Sequence, residues 1–572
     1  MKNDGEGAAA GAAPHQGEYT SRRLGLRSMV TRFGGGAGDR FLHNIRDFVG
    51  EQQPMVWGLG LVIGITVGYG AILFRTLIGI FQLPWLGTTS ENVASAVEAI
   101  DWWIVPLAPA VGGLVVGYLL QRFMPGMRAH AVADVIEARA LRDCKIDVKV
   151  GLFSALLAAL SLGSGASAGR EGPVVHFGAT IASWLEDRFR LSPANRRTLL
   201  GCGVGAAVAA SFNAPIAGVL FAHEVILGHY ALRAFVPIVI ASVAGGVVSR
   251  IHLGNFPAFA IPEYQISSYF EFPAFVLLGV TCAVVAILFQ LAIMVTQRIV
   301  WSFDVPLWLR VGSGGLAVGL IALAFPQVLG VGYETTDKAL YQSLPFWTLV
   351  SLIVAKTAAT AITLAVGFAG GIFSPALYLG AVTGAAFGVI GIAVFPDIGA
   401  SHGLYAILGM GAVAAAVLGA PISTTLICFE LTGGFELAIA LLLTVSIAVG
   451  LTQAVLGHSY FYWQLSKRGL FLQDGPHKSI MRRLTVAQFM TVSEAASEAG
   501  VIERLEPDSD EPWLMASDTL ERALRDFDRT GATRIAVVSE NDQRLVIGWA
   551  ERLNALDAFN KALVDATVEE HK

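Results

Sequence analysis

Charge is scarce in this sequence. Asp, Glu, Lys and Arg together make up 15% of its 572 residues, well below the ~25% of ordinary soluble domains. The formal net charge of −5 and the lack of any dense basic block argue against a nucleic-acid partner. Cysteine is almost missing: Cys144, Cys202, Cys282 and Cys428 are isolated singles. Without paired spacing they support neither a disulfide framework nor a zinc site, and they read as small buried hydrophobes. Residues 1 to 45 lack the apolar core of a signal peptide; rich in Ala, Gly and Arg, they are expected to form a disordered cytoplasmic tail. Apolar residues are abundant, with 54% hydrophobic content and a mean hydropathy of +0.61, which predicts a polytopic protein of the lipid bilayer. The 63 glycines fit closely packed, often broken helices.

Long spans are expected at Trp57 to Gln82, Trp103 to Leu120, Phe272 to Thr296, Leu307 to Leu323 and Phe346 to Val366. Between Val150 and Arg250, and again from Val366 to Leu456, the apolar runs shorten, as in core or re-entrant helices. About fourteen to eighteen helices are expected, many not spanning. Arginines precede the first span (Arg22, Arg23, Arg27, Arg32, Arg40, Arg46) and basic residues follow the second (Arg122 to Lys149), whereas the loop between the two spans has no Lys or Arg. The positive-inside rule then puts the N-terminus in the cytoplasm, and the basic run Lys467, Arg468, Lys478, Arg482 and Arg483 brings the C-terminal side back there.

One stretch interrupts this pattern. Gly163 to Ala179 reads GSGASAGREGPVVHFGA, a glycine-rich break where lipid would demand helix. Irregular backbone survives at membrane depth only inside protein or beside a water-filled cavity. Pro173 is expected at the first helical position, and the free N–H groups of that helix start make an anion site. Glu171 sits at its mouth as a tethered competitor for the anion. The device recurs at Gly371 to Ala381, GIFSPALYLGA, where Pro375 aligns with Pro173 and Gly371 with Gly169. Downstream, APIAGVLFAHE (Ala214 to Glu224) aligns with APISTTLICFE (Ala420 to Glu430). Paired broken helices in two halves point to a midplane ion site in a repeat-built transporter.

From Leu484 the composition turns charged and ordinary. Thr519 to Thr530 is expected to be a helix capped by Ser517 or Asp518 and stopped by Gly531. Strands are expected at Ile535 to Val538 and Leu545 to Trp549, around an Asn541-Asp542 turn.

GREGP at Gly169 to Pro173, FNAP at Phe212 to Pro215 and GIFSP at Gly371 to Pro375 resemble, in order, the signature elements of the CLC family of chloride channels and chloride/proton antiporters. The resemblance covers about residues 50 to 470. It implies an all-α homodimer of inverted-repeat subunits, each with its own pore. The expected domains are a tail at 1–45, a transmembrane domain at 46–472 with repeats at about 50–250 and 271–470, and a small α/β domain at 484–560. This last segment is similar to cystathionine-β-synthase (CBS) domains, with one complete motif. Because adenine nucleotides sit between paired motifs, a structural or dimerising role is expected there and no cofactor is assigned.

The resemblance makes Glu171 the gating residue and puts anion contacts on the backbone of Gly169, Arg170, Gly172, Ile372 and Phe373. Arg170 either sets the local potential or makes a structural ion pair. His130, in AHAVAD, replaces the family's inner anion-contacting side chain or is a plain cytoplasm-facing histidine. The inner tyrosine falls on Phe461, or on Tyr460 or Tyr462 after a one-residue shift. Glu224 is followed by Val225, as in many channel members, which leaves Glu224, His223 and His229 as imperfect substitutes on a proton path. These residues favour channel-like chloride flux over proton exchange, with fluoride export a third reading, in a bacterial inner membrane. Gly165-Ala166-Ser167-Ala168-Gly169 also fits the G-x-S-x-G pattern of hydrolases. That motif needs a strand before its serine, so no enzymatic activity is expected.

Overall fold

The computed structural model describes residues 46, 50, 52–189, 191–254, 269–394, 402–432, 437–472, 481, 484–492, 512–540, 542 and 545–571. The N-terminal tail and most of the loop at 251–270 therefore lie outside the described residues. Among the described residues, eighteen α-helices lie between residues 53 and 467, and eight helical stretches are long and apolar enough to cross a membrane. Five match the expected spans, the first as the 34-residue helix Gln53–Leu86. Three more, Leu232–Leu253, Phe373–Val394 and Ala438–Lys467, fall where only short segments were expected. The first of these runs straight through Pro237, and the second starts inside the GIFSP break.

The two halves follow one plan. Helices Gln53–Leu86, Ile104–Phe123, Val132–Leu141, Val148–Gly163, Glu171–Glu186, Pro193–Phe212, Pro215–Phe221 and Leu232–Leu253 match, in order, Phe272–Trp301, Leu307–Ala324, Tyr333–Leu340, Phe346–Val366, Phe373–Val394, His402–Leu418, Pro421–Thr432 and Ala438–Leu456. Glycines set the closest crossings. A methyl group on Gly178 would sit 2.3 Å from the Gly203 carbonyl oxygen, and one on Gly380 would sit 2.3 Å from that of Gly409. Real carbon atoms do not approach so closely, so backbone packs on backbone at the same place in both halves.

The halves also satisfy each other's polar groups. The carboxylate of Glu430 accepts the N–H groups of Ile216 and Ala217 at 3.0 and 2.7 Å. The carboxylate of Glu224 accepts those of Ile422 and Ser423 at 2.9 and 2.7 Å, together with the Ser423 hydroxyl. Each glutamate thus caps the helix N-terminus of the opposite repeat, where orphan N–H groups and the helix dipole favour a negative charge.

The C-terminal sheet comprises β1 (Thr491–Val492), β2 (Trp513–Met515), β3 (Arg534–Val538) and β4 (Val546–Glu551), in the order β1-β4-β3-β2. Strand β2 runs parallel to β3 through the helix Leu520–Thr530, and β3 and β4 form an antiparallel hairpin. Leu514, Leu520, Phe527, Ile535 and Val537 form its core. The helix cap is Thr519, whose hydroxyl accepts the Arg522 N–H. Asp518, an expected cap, instead accepts the Met515 N–H and pairs with Arg522. Gly531 ends the helix in a left-handed conformation, as expected. The final helix, Arg552–His571, continues past the expected boundary at 560.

Candidate functional site

The two breaks meet. Gly169 and Gly371 exchange both backbone hydrogen bonds at 2.7 Å, a single antiparallel bridge between the repeats. Each break opens on a glycine four residues upstream that only a left-handed backbone fits, Gly165 at φ +100° and Gly367 at φ +109°. The irregular backbone is satisfied reciprocally: the Ser167 N–H bonds Thr363 Oγ1, and the Ala369 N–H bonds Ser161 Oγ. This cross-satisfaction makes broken helix tolerable in lipid. Ser167 Oγ shares a hydrogen bond with Thr360 Oγ1 and follows the helix Val148–Gly163 rather than a strand, so the nucleophile-elbow geometry is missing.

Both outgoing helices start two residues before the proline, at Glu171 and at Phe373. The expected start at Pro173 therefore moves back, and Glu171 becomes the first helical residue. Its side chain is 1% exposed. Oε1 accepts the Tyr333 hydroxyl at 2.8 Å and the Ser374 hydroxyl at 2.5 Å, while Oε2 has no hydrogen-bond partner among the described residues. The carboxylate lies where the two helix N-termini converge, 2.8 Å from where a Gly169 methyl would stand. The Gly169 amide is committed to the bridge, so it is not available to an anion. Gly172, Ile372 and Phe373 line the cavity next to Glu171.

That cavity holds about 340 Å³ and is lined by Glu171, His130, Tyr460, Phe461, Lys467 and Arg468, among others. Phe461 and Tyr460 both face it, and the Tyr460 hydroxyl accepts a hydrogen bond from Gln464 at 3.0 Å. Tyr462 is not among its lining residues. At the cavity mouth Asp134 bonds Arg128 and Arg468 at 2.6 and 2.9 Å, and Arg468 also reaches Glu137 at 3.1 Å. On the other side of Glu171, Tyr333 and Arg170 line separate cavities of 190 and 430 Å³. The hydrogen bond from the Tyr333 hydroxyl to Glu171 links the lining of these cavities to that of the first.

Arg170 makes an ion pair with Glu91 and stacks over the Tyr333 ring at 4.8 Å; its guanidinium stays 3.9 Å from Glu171. Burial raises the Glu91 pKa, but the Arg170 and Arg75 charges overcome this and hold the carboxyl below its ordinary value. Glu224 and His223 do not line the cavity. Glu224 is a helix cap, and His223 bonds the His229 carbonyl through Nδ1. Sequence reasoning missed Tyr333 and Ser374. The serine was visible within GIFSP, whereas Tyr333 comes from a short helix with no local signal.

Paired breaks facing each other across a pseudo-twofold axis, with a buried carboxylate between them, define a multi-pass membrane protein of the inverted-repeat transporter class. Residues 112–453 match the family described as voltage gated chloride channel. The chain belongs to that CLC family. It is 30% identical over 386 residues to a ClcB-like chloride channel protein of Ralstonia nicotianae, covering 67% of this chain and 90% of the relative. It is also 30% identical over 424 residues to the H⁺/Cl⁻ exchange transporter ClcA of Vibrio cholerae, covering 72% of this chain and 89% of that one. Among solved structures, a slow cyanobacterial Cl⁻/H⁺ antiporter shares the fold, with a TM-score of 0.65 at 22% identity over 73% of this chain and 99% of that chain.

Proposed function

We propose that this protein exchanges chloride for protons, with Glu171 alternately filling the anion site and carrying the proton. The observation that carries this reading is the position of the carboxylate, which seals the 340 Å³ cavity while held by two hydroxyls at the convergent helix starts. An incoming chloride competes for the same dipoles, and a protonated Glu171 no longer needs them. Displacement and protonation therefore go together.

Channel-like flux, the expectation drawn from Val225, gives way to exchange. The Vibrio cholerae relative is named an H⁺/Cl⁻ exchange transporter, and a buried acid closing the path suits a stepwise cycle better than an open pore. Backbone contacts at Gly172, Ile372 and Phe373 would hold the anion, with His130 and Phe461 or Tyr460 below it. The same reading carries a homodimer with cytoplasmic termini in a bacterial inner membrane, and a structural role without nucleotide for the CBS-like domain.

The test is proton uptake driven by a chloride gradient in liposomes. The full chain should move protons uphill; Glu171→Gln should abolish proton movement and leave chloride flux insensitive to external pH. Chloride flux with no proton movement in the unaltered protein would return the reading to a channel.

A further inference from the structure

A second tethered carboxylate stands on the far side of Glu171. Glu91 follows the first membrane span, on the non-helical segment 88–92, in the loop that the positive-inside rule puts opposite the N-terminus. Its Oε1 accepts from two guanidinium groups at once, Arg75 Nε at 2.7 Å and Arg170 Nη1. Arg75, Glu91, Arg170 and Tyr333 line both of the cavities there, of 190 and 430 Å³. Arg170 joins this group to the gate: its Nε stays 3.9 Å from Glu171 Oε1, and Tyr333, beneath its guanidinium, donates to the same oxygen.

An oxygen shared by two guanidinium groups occupies the place a halide would take, because their N–H groups donate to any small anion. The exposures of the three side chains differ: Glu91 is 36% and Arg75 40% exposed, whereas Arg170 is 9% exposed. Glu91 can therefore turn into solvent, while Arg170 keeps its charge at the cavity wall. Half-exposed ion pairs are weak, so a free anion can compete for the seat. Charge balance adds a direction. Arg75 and Arg170 face Glu91, and Arg170 also faces Glu171, two charges of each sign. A proton on Glu171 leaves one positive charge uncompensated, and an anion at the arginines restores the balance.

We propose that Arg75 and Arg170 form an outer binding site for a small monovalent anion, chloride in the exchange cycle, and that Glu91 is its tethered competitor. This rests on the exchange reading above. An arriving chloride displaces the Glu91 carboxylate from the two guanidinium groups, with no covalent bond changed. The ion then waits beside Tyr333 until Glu171 leaves its seat. Chloride released in the other direction stops at the same site, after which Glu91 returns.

The experiment measures isotopic chloride exchange by the full chain in liposomes as a function of chloride, kept equal on both sides. Glu91→Gln keeps the side-chain shape and removes the competing charge, so half-saturating chloride should fall about three- to tenfold, the worth of one or two weak ion pairs. Arg75→Gln removes a donor from the site and should raise it by a similar factor. In the Arg75→Gln background, Glu91→Gln should gain less than it does alone, because the two act at one site. A merely structural ion pair would lower the maximal rate or Tm in both variants and leave half-saturation within about twofold of the parent. That result, or shifts in the same direction for the two variants, overturns the site. If Glu91→Gln fails to fold, Arg75→Gln, at a 40% exposed position, decides by the same measurement. Half-saturation is read from chloride alone, so a protein that moves no protons overturns the exchange reading and leaves this result standing on its own.

Discussion

Replacing Tyr333 with Phe removes one hydroxyl and leaves the ring in place over Arg170. That hydroxyl donates at 2.8 Å to Glu171 Oε1, a contact sealed from solvent. Hydrogen bonds to charged groups contribute about 1.5–3 kcal/mol, and each 1.4 kcal/mol is about tenfold in a population. Losing about 2 kcal/mol therefore moves the balance between seated and displaced Glu171 about thirtyfold toward displacement. The remaining donor, Ser374 Oγ at 2.5 Å, keeps the seated state from vanishing. Chloride efflux from liposomes should then rise by several-fold up to that limit. The double variant supplies the control: in Glu171→Ala the hydrogen bond has no acceptor, so Tyr333→Phe should add nothing, and the two changes should be strongly non-additive. Efflux within twofold of the parent, or equal effects of Tyr333→Phe in both backgrounds, would refute the claim that this hydroxyl holds the gate.

Two further outcomes follow from the described contacts. Glu224→Ala and Glu430→Ala each uncap one helix of the opposite repeat and should lower stability by similar amounts, about 1–2 kcal/mol each, read as matching losses of Tm in detergent; one large and one negligible loss would break the proposed equivalence. Glu91 is held below its ordinary value of 4.5 by Arg170 and Arg75. A depressed carboxyl contributes its stabilisation above the unfolded value and loses it as pH falls through the folded one. Hydrogen exchange in the 88–97 segment should therefore stay flat from about pH 5 to 8 and rise only below that range, whereas Glu91→Gln should expose the segment throughout; a protection step near neutral pH would contradict the pairing.

Much was legible in the chain itself because lipid leaves few options. A low charge content and long apolar runs point to membrane helix, and a glycine-rich break carrying Arg170 and Glu171 can sit only inside protein or beside a water-filled cavity. The Pro173/Pro375 and Pro215/Pro421 matches disclosed the repeat, since equal breaks need equal residues. Tertiary structure alone decided where hydrogen bonds close across the pseudo-twofold axis. Gly169 and Gly371, 202 positions apart, become a bridge. Glu224, named from the sequence only for a proton path, caps the Pro421 helix because that helix presents its free N–H groups there. Tyr333 reaches Glu171, and His176 reaches His130, across separations no local pattern encodes. Periodicity and composition report which surface a residue must avoid; which partner a buried polar atom finds depends on how two helices cross, and that is fixed only when both halves are packed.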